Sequence, residues 1–309
     1  RQRTGDLMAL GTNDVDALEM ARGEALLARS GGTLTLEMAL GVMLLGVDWR
    51  LALVALIPFP FMAYSFWRIS SHIHTASTDS LKRFSASSGS FLMYGIPLTD
   101  GPGTYANSVA GIGPAGQSYR YDKHHLVPFG EFVLPGFRWF VDMMRIPLGD
   151  MTRGGDVQPA FAVKDQLVLP NVCYEDVFGE EIALQLRSMS LPATMLLNVS
   201  NLAWFGESIA IPQHLQISQM RSIETGRPML RSTNTGATAV IDHRGKIAAR
   251  LPNYTHGTLS ATVQGLGGMT PFIRLGNVLF LALCAASLGA AWWMGPRYRG
   301  KKHPEPAQN

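Results

Sequence analysis

The amino-acid sequence predicts an α+β domain with membrane-spanning helices at both of its ends. Between residues 87 and 274, short runs of β-branched and apolar residues alternate with helical stretches, a mixture typical of layered α+β domains. Long uncharged apolar runs lie on either side of this region. The composition agrees, since 47% of the residues are apolar and only 16% are charged, below the ~25% of an average soluble domain.

The clearest membrane segment lies near the carboxyl end. Leu275–Met294 is twenty residues long and carries no charge, which is about the length that crosses a bilayer core as a helix. Trp292 and Trp293 suit the membrane interface, and the basic tail that follows them predicts a cytoplasmic C-terminus. We therefore expect residues 275–309 to form a transmembrane helix and a cytoplasmic tail.

A second apolar region lies nearer the start of the chain. Leu51–Trp67 has seventeen residues without a charge, and the preceding Leu34–Gly46 carries only Glu37 as a charged residue. A short link joins the two runs. They predict a helical hairpin in the membrane over about residues 34–67.

Charge and cysteine content exclude several classes of function. The net charge of +3, from 26 basic and 23 acidic residues, is too small to indicate a nucleic-acid partner. The two cysteines lie far apart, and the sequence has no C-x-x-C, H-E-x-x-H or G-x-x-x-x-G-K-[ST] motif. A disulfide, a metal site and a P-loop ATPase are therefore not indicated.

The middle region predicts six strands and two helices. A turn over Asp242–Gly245 separates two of the strands. The predicted strands are Phe91–Ile96, Leu167–Val172, Thr194–Val199, Ala237–Ile241, Lys246–Arg250 and Thr258–Val263. The predicted helices are Gly179–Met189 and Pro212–Gly226, the second with proline at its first position, where the missing N–H costs nothing.

The candidate nucleophile is Cys173, which directly follows an apolar strand. A cysteine there is more often a small buried residue, but it becomes nucleophilic beside a cation and a base. Residues 121–133 offer Lys123 and Glu131, although such a segment is commonly a solvated charge run with a Pro/Gly loop. His124 and His125 are adjacent and face opposite ways on a strand, so we expect structural histidines rather than a metal pair.

Polar and aromatic residues follow two further apolar strands. Asn198 and Trp204 lie after one strand and could line the rim of a ligand pocket. Arg231 lies at the end of another and could orient groups there. The alternative, a capped loop that packs its own aromatic side chains, is equally compatible with this pattern.

Four segments are far more specific together than separately. In chain order they read YDKHHLVPFGEF, NVCYED, NVSNLAWFG and GRPMLRSTNTG. They resemble the apolipoprotein N-acyltransferases, the membrane-bound branch of the nitrilase, or carbon–nitrogen hydrolase, superfamily. The resemblance runs from about residue 90 to the end of the chain, and soluble nitrilases do not usually carry the HLVPFGE run.

This resemblance implies an αββα sandwich over residues 87–274, on the periplasmic side of a bacterial inner membrane that the chain crosses several times. In the family, a cysteine takes an acyl chain from a phospholipid as a thioester and passes it to the N-terminal diacylglyceryl-cysteine of a lipoprotein. No metal or diffusible cofactor is implied. The implied catalytic residues are Cys173, Lys123, Glu131 and Glu175, and the implied substrate-binding residues are Tyr174, Asn198, Trp204 and Arg231.

The sequence departs from the family in two places. The family's base is a glutamate in a Trp-Pro-Glu-like motif upstream, and no such motif precedes residue 121 here. The early strands of the sandwich are absent as well, so we expect an incomplete fold and impaired activity. In addition, Leu202 stands where the family usually has aspartate.

Residues 1–86 resemble a different protein, part of the membrane domain of an ABC-type multidrug exporter. The segments that carry this resemblance are GDLMALGTNDVDALEM, GVDWRLALVALIPFPFMAYSFW and RISSHIHTASTDSLKRFS. The exporter-like part would leave residue 87 in the cytoplasm, whereas the single span that follows residue 274 requires the domain to lie outside. This conflict predicts a fusion of two gene fragments.

Two other functions stay open. An exporter fragment would give a transport protein, but the chain has no P-loop and too few spans to transport by itself. A nitrilase-type amide hydrolase would use the same Glu-Lys-Cys chemistry. The apolar run at 275–294 and the HLVPFGE run favour the lipid reaction.

Overall fold

The computed structural model describes residues 8–9, 78–101, 104–137, 139 and 150–298 of the 309-residue chain. The predicted hairpin over 34–67 lies outside the described residues, as do nearly all of the exporter-like segment and the end of the basic tail. The strands are β1 Met8–Ala9, β2 Leu92–Gly101, β3 Thr104–Ile112, β4 Ser118–Asp122, β5 Phe161–Val163, β6 Gln166–Val172, β7 Met195–Ser200, β8 Met229–Thr233, β9 Ala239–Ile241, β10 Ile247–Arg250 and β11 Leu259–Ser260. The helices are α1 over 78–88, α2 Gly179–Ser188, α3 Ala210–Thr225, α4 Pro271–Leu275 and α5 Val278–Tyr298.

A six-stranded sheet forms the centre of the domain, in the order β10-β9-β8-β7-β6-β5. Its three inner strands β6, β7 and β8 are parallel, and the strands outside them pair antiparallel. Parallel neighbours bring their carboxyl ends to the same edge of a sheet, which is where open α/β sheets carry their ligand sites. The residues that follow β6, β7 and β8 therefore meet at one edge.

Helices α2 and α3 cover one face of this sheet. Ile182 and Leu186 of α2 and Ile211 and Leu215 of α3 are at most 3% exposed and belong to one buried cluster with apolar residues of β6, β7 and β8. Burial of each such side chain contributes roughly 1.5–3 kcal/mol. Helix α3 stops at Gly226, whose φ of 64° is left-handed and whose N–H bonds the Ser222 carbonyl.

A three-stranded antiparallel sheet, in the order β2-β3-β4, packs on the other face. The two sheets approach closely at Gly95, where a Cβ atom would lie 2.9 Å from Val199 Cγ1. Phe161 packs between the sheets with its ring centroid 5.0 Å from that of Tyr119. The described residues thus form a helix layer and two sheet layers, which confirms the predicted α+β class.

The helix in the region of the predicted span Leu275–Met294 begins three residues later than the span does. Helix α4 ends at Leu275 because Gly276 takes a positive φ of 56°, and α5 starts only at Val278. Many apolar side chains of α5 are exposed, among them Phe280 at 66% and Trp292 at 82%. Within the described part of the chain, no helix combines the length and hydropathy needed to cross a membrane.

Candidate active site

Cys173 lies where β6 ends, as the first residue of a short 3-10 turn over Cys173–Val177. Its φ is 51°, in the left-handed region that costs a non-glycine residue roughly 1 kcal/mol. Such strained residues cluster at functional sites, where the surrounding structure has to hold them. The geometry therefore marks this cysteine as more than a small buried residue.

The carboxylate of Glu175 fastens the Cys173 turn to the neighbouring loop. Its Oε2 accepts the Val172 N–H at 2.6 Å, and its Oε1 accepts the N–H groups of His124 at 2.6 Å and His125 at 3.2 Å. The buried Tyr121 hydroxyl also donates to it, at 3.1 Å from Oε2. Burial raises the pKa of Glu175, and the three backbone N–H donors oppose that shift.

The same loop carries a buried ion pair. Lys123 is 1% exposed, and its Nζ lies 2.7 Å from Oε2 of Glu131. Glu131 also accepts the Asn107 side-chain amide at 2.7 Å and the Val127 N–H at 2.8 Å. Because every oxygen of Glu131 has a donor, the carboxylate can hold the ammonium in a place that water does not reach.

The charges around Cys173 act on its thiol in opposite directions. Burial raises the pKa of Cys173 above its ordinary value, and this effect is the largest. The Lys123 ammonium and the Arg231 guanidinium lower the pKa, the Glu131 carboxylate raises it, and a hydrogen bond with the Ser200 hydroxyl lowers it. The resting cysteine is therefore a protonated thiol at neutral pH, and a base has to remove its proton before it can attack.

The predicted site residues fall into two groups. Cys173, Lys123, Glu131 and Glu175 come together, as described, and Tyr174 lies edge-on to the rings of His125 and Phe178. Two of the predicted substrate-binding residues are buried: Asn198 is 0% exposed, and Arg231 is 2% exposed and ion-paired. The side chain of Trp204 lies outside what the structure describes.

The two histidines have the structural bonds that we expected, although they lie in a bend rather than on a strand. The Nδ1 atom of His124 lies 2.9 Å from the Gly154 carbonyl oxygen, and Nδ1 of His125 lies 2.8 Å from Glu181 Oε1. Among the described residues, no three His, Cys, Asp or Glu side chains are grouped as a metal would require.

Several polar residues of the site were not predicted from the sequence. Asn107, Asn171, Asp176 and His214 are buried or bonded around the Cys173 turn. A polar residue at the end of an apolar strand is the pattern that could have indicated Asn171. Asn107 lies within a strand that the sequence did not predict at all.

A polar cleft of about 320 Å³ lies on the helix side of the turn, among α2, α3 and α4. Glu180, Glu181, Arg221 and Glu224 line it, together with Phe178 and Phe272. Neither Cys173 nor Lys123 lines this cleft. We therefore place the chemistry at the strand ends and not in the cleft.

A comparison with known protein families agrees with the fold and with the placement of Lys123, Glu131 and Cys173. The carbon-nitrogen hydrolase family matches residues 52–270, more than half of the chain. The chain belongs to this family. The matched region starts within residues 1–86, the segment with the exporter resemblance, and ends just before α4.

The relatives of this carbon-nitrogen hydrolase include curated bacterial proteins named apolipoprotein N-acyltransferase. The protein from Ralstonia nicotianae is 58% identical over 198 residues, which are 64% of this chain and 38% of that protein. The protein from Verminephrobacter eiseniae is 50% identical over 191 residues, 61% of this chain and 36% of that protein. This chain thus spans well under half the length of these relatives.

A solved structure shows the same fold. It is a glutamate variant of the amidase from Nesterenkonia sp. AN1, in which acrylamide has added to the active-site cysteine. The TM-score is 0.50 at 16% sequence identity, over 71% of this chain and 75% of that one. This likeness confirms the predicted nitrilase-like α+β fold.

Proposed function

We propose that this chain carries out thioester-mediated acyl transfer to lipoproteins. Cys173 would attack the ester carbonyl of a phospholipid, forming the S–C bond and breaking the ester C–O bond, while its proton goes to the departing alkoxide. The α-amino group of a lipoprotein's N-terminal diacylglyceryl-cysteine would then attack the thioester carbonyl, forming the C–N bond and breaking the C–S bond, while the proton that the amine loses returns to the Cys173 sulfur. The names of the curated relatives support this substrate class.

The observation that carries the proposal is the buried Lys123 ammonium, which lies 2.7 Å from Glu131 and acts electrostatically on Cys173. A fixed cation in a water-excluded site stabilises both a thiolate and the oxyanion of a tetrahedral intermediate. Glu131 would hold the lysine in place. Glu175 would hold the loop against the turn, and Tyr174 would shape the site beside it.

The acyl acceptor and donor would bind at the rim formed by the strand ends. Trp204 follows β7 in the second short turn, Ala203–Phe205, and we propose that it contacts substrate. Asn198 is fully buried, so it would support the rim from inside the sheet. No metal or diffusible cofactor enters this mechanism.

We propose that the reaction is slow in this chain. No glutamate lies between Glu37 and Glu131, so the segment where the family carries its base offers none. General-base catalysis is worth roughly 10²–10⁴-fold. Glu131 is bound to Lys123 and Glu175 accepts only N–H and O–H donors, so neither carboxylate is free to replace the base without giving up its present bonds.

We further propose a bacterial inner-membrane location with the site on the periplasmic side. The exposed apolar surface of α5 supports contact with lipid. The division into 1–86, 87–274 and 275–309, with the first part derived from an exporter, belongs to this proposal and to the fusion that it implies.

An amide hydrolase is the second candidate, since it would use the same Glu-Lys-Cys chemistry. Both functions form a thioester at Cys173, but the hydrolase would break an amide C–N bond to do so and the transferase an ester C–O bond, and the two differ again in the acceptor. Water as acceptor would release free acid, whereas an amine would give a stable amide. Product analysis with and without a diacylglyceryl-cysteine peptide therefore separates them.

The proposed nucleophile is tested by covalent labelling of the full chain. An alkyl fluorophosphonate or an activated acyl ester should label the protein, and Cys173→Ala should abolish that labelling. Cys284→Ala is the matched control and should leave it unchanged. Labelling that follows Cys284, or that survives Cys173→Ala, would refute the assignment.

A further inference from the structure

A row of polar side chains crosses the central sheet directly beneath the nucleophile turn. Asn171 of β6 pairs in register with Asn198 of β7, which pairs in register with Arg231 of β8. The three residues are 2%, 0% and 2% exposed. They point to the same face as the apolar residues two positions before them, Leu169, Leu196 and Met229, which belong to the core under α2 and α3.

The row contacts both ends of the Cys173 turn. The Asn198 amide donates to Asn171 Oδ1 at 2.5 Å and to the Cys173 carbonyl oxygen at 3.4 Å. At the other end, Nη1 of Arg231 lies 3.1 Å from Oδ2 of Asp176, which is the fourth residue of the turn and is fully buried. Each end of the strained turn is thus held by the same sheet.

Helix α3 completes the surroundings of the guanidinium. Ser218 donates to Asp176 and contacts Arg231, and the second Nη atom of Arg231 donates to Nδ1 of His214 at 2.7 Å. Burial, and after it the Arg231 charge, lower the pKa of His214 to about 3. His214 is therefore neutral at physiological pH and can accept this bond, so the guanidinium keeps its charge in the core.

We propose that Arg231 is a positioning residue for the nucleophile: paired with Asp176, it holds the Cys173 turn in its left-handed conformation and supplies a second buried positive charge to the thiolate, beside Lys123. This role differs from the substrate contact that the sequence predicted for Arg231. It rests on the proposed function only in taking Cys173 as the nucleophile. The reactivity of the thiol itself is measurable without any acyl transfer.

The charged groups near Cys173 come from four elements. Lys123 and Glu131 belong to the loop after β4, Glu175 and Asp176 to the turn itself, Arg231 to β8 and His214 to α3. Lys123 and Arg231 are the two cations that favour the thiolate, and Glu131 opposes it. Removing Arg231 therefore leaves Lys123 as the remaining cation of the two that favours the thiolate.

The test measures the rate of alkylation of Cys173 by iodoacetamide as a function of pH, in a full-length Cys284→Ser background so that one thiol reacts. Arg231→Met is combined with Asp176→Leu, because a single substitution would leave a buried carboxylate unpaired, whereas replacement of both partners by apolar residues is commonly tolerated. Arg231→Lys keeps the charge. Arg227→Met is the matched control, since Arg227 is likewise buried, at 1% exposed, but bonds the carbonyl groups of Ala193, Thr225 and Gly268.

We expect the double variant to raise the apparent pKa of the thiol by about one unit, which slows alkylation at neutral pH about tenfold. Arg231→Lys should stay within about threefold of the parent chain, and Arg227→Met should not move the profile. A folded double variant with the parent profile would overturn the proposal, as would an equal shift in Arg227→Met or a double variant that fails to fold. Absence of acyl transfer with the pKa shift intact would count against the proposed function alone.

Discussion

The ammonium group of Lys123 is surrounded almost entirely by protein groups. It is 1% exposed and Glu131 neutralises it at 2.7 Å. Lys123→Met removes the ammonium, keeps much of the stem's volume and leaves Glu131 near the thiol. We expect the pKa of Cys173 to rise further, because the largest favourable charge is lost and the unfavourable carboxylate stays. Alkylation of Cys173 at neutral pH should slow by at least about tenfold.

The matched control for this prediction is Lys164→Met, at an exposed lysine outside the site. A double substitution, Lys123→Met with Glu131→Gln, should recover part of the reactivity because it also removes the opposing charge. If Lys123→Met alkylates as fast as the parent chain, the ammonium does not act on the sulfur and a different lysine has to be sought.

His214 makes folding depend on pH in the acid range. Its pKa is lowered to about 3 in the folded protein but is ~6.5 in an unfolded chain. Above pH ~6.5 both states are neutral at this residue. As the pH falls towards 3, the unfolded state binds a proton that the folded state refuses, so stability is lost by up to about 1.4 kcal/mol per pH unit.

The comparison that isolates this contribution is His214→Asn, whose amide oxygen can still accept from Arg231. The unfolding free energy of the variant should fall less steeply between pH 6.5 and 4 than that of the parent chain. His243→Asn, at an exposed turn residue, is the control and should preserve the parent slope. Parallel curves for the parent and His214→Asn would show that His214 is not buried as described.

At the level of single residues, the sequence named part of the site, including Lys123 and Asn198, and missed other residues, including Asn107 and Asp176. Lys123 and Glu131 stand out because charges beside an apolar run need partners, and Cys173 stands out at a strand end. The partner of each charge depends on strand register, which no local pattern specifies. Asn107 meets Glu131 from 24 positions away, and Asp176 meets Arg231 from 55 positions away.

The β9–β10 hairpin is an element whose turn also serves packing. Gly245 has a φ of 76°, and a Cβ there would lie 2.7 Å from Ile223 Cδ1 and 2.9 Å from the Gln219 carbonyl oxygen. Gly116, in the β3–β4 turn, has a φ of 82° and open space around it. Both glycines relieve backbone strain, but Gly245 alone also lets the hairpin approach α3.

Gly116→Ala should therefore cost about 1 kcal/mol of unfolding free energy from strain alone. Gly245→Ala should cost about 1–3 kcal/mol more, because the methyl group has to displace α3 or the turn. Denaturant titration of both variants measures the difference. Equal losses would mean that the turn and α3 are not in contact in solution.

Elements with strong local patterns were predicted well, and those that depend on the sandwich were not. The structure has α2 and α3 within a few residues of the predicted bounds, and the turn over Asp242–Gly245 is confirmed. Strands β3 and β4 were missed, since they are rich in Gly, Ala, Ser and Tyr and take their stability from pairing with neighbours. Strand β5 was missed as well, and it has only three residues. Proline 212 is the third residue of α3 rather than the first, because the helix begins at Ala210.

On the scale of the whole molecule, the prediction concerns activity in a cell. A bacterium depleted of its own apolipoprotein N-acyltransferase should not grow on this chain as given, because the family's base has no counterpart here. Growth should return when residues 1–86 are replaced by the first part of a relative such as the Ralstonia nicotianae protein. It should be lost again on Cys173→Ala in that chimera.

The control for complementation is the chimera with Cys284→Ala, which keeps the proposed nucleophile and should support growth. The amount of protein in membrane fractions is measured for each variant, to check that all variants accumulate equally. Growth on the chain as given, dependent on Cys173, would show that a carboxylate within residues 87–274 serves as the base.

The left-handed backbone at Cys173 has a consequence for the history of the gene. A side chain at φ 51° is tolerated there at a cost of roughly 1 kcal/mol, whereas glycine adopts this conformation freely. If a copy of the gene is no longer selected for acyl transfer, the folded protein that it encodes therefore becomes more stable when the cysteine codon mutates to glycine. Loss of Lys123 brings no such gain, because it strands the Glu131 carboxylate. Among decaying copies, we expect the nucleophile to disappear before the lysine that assists it.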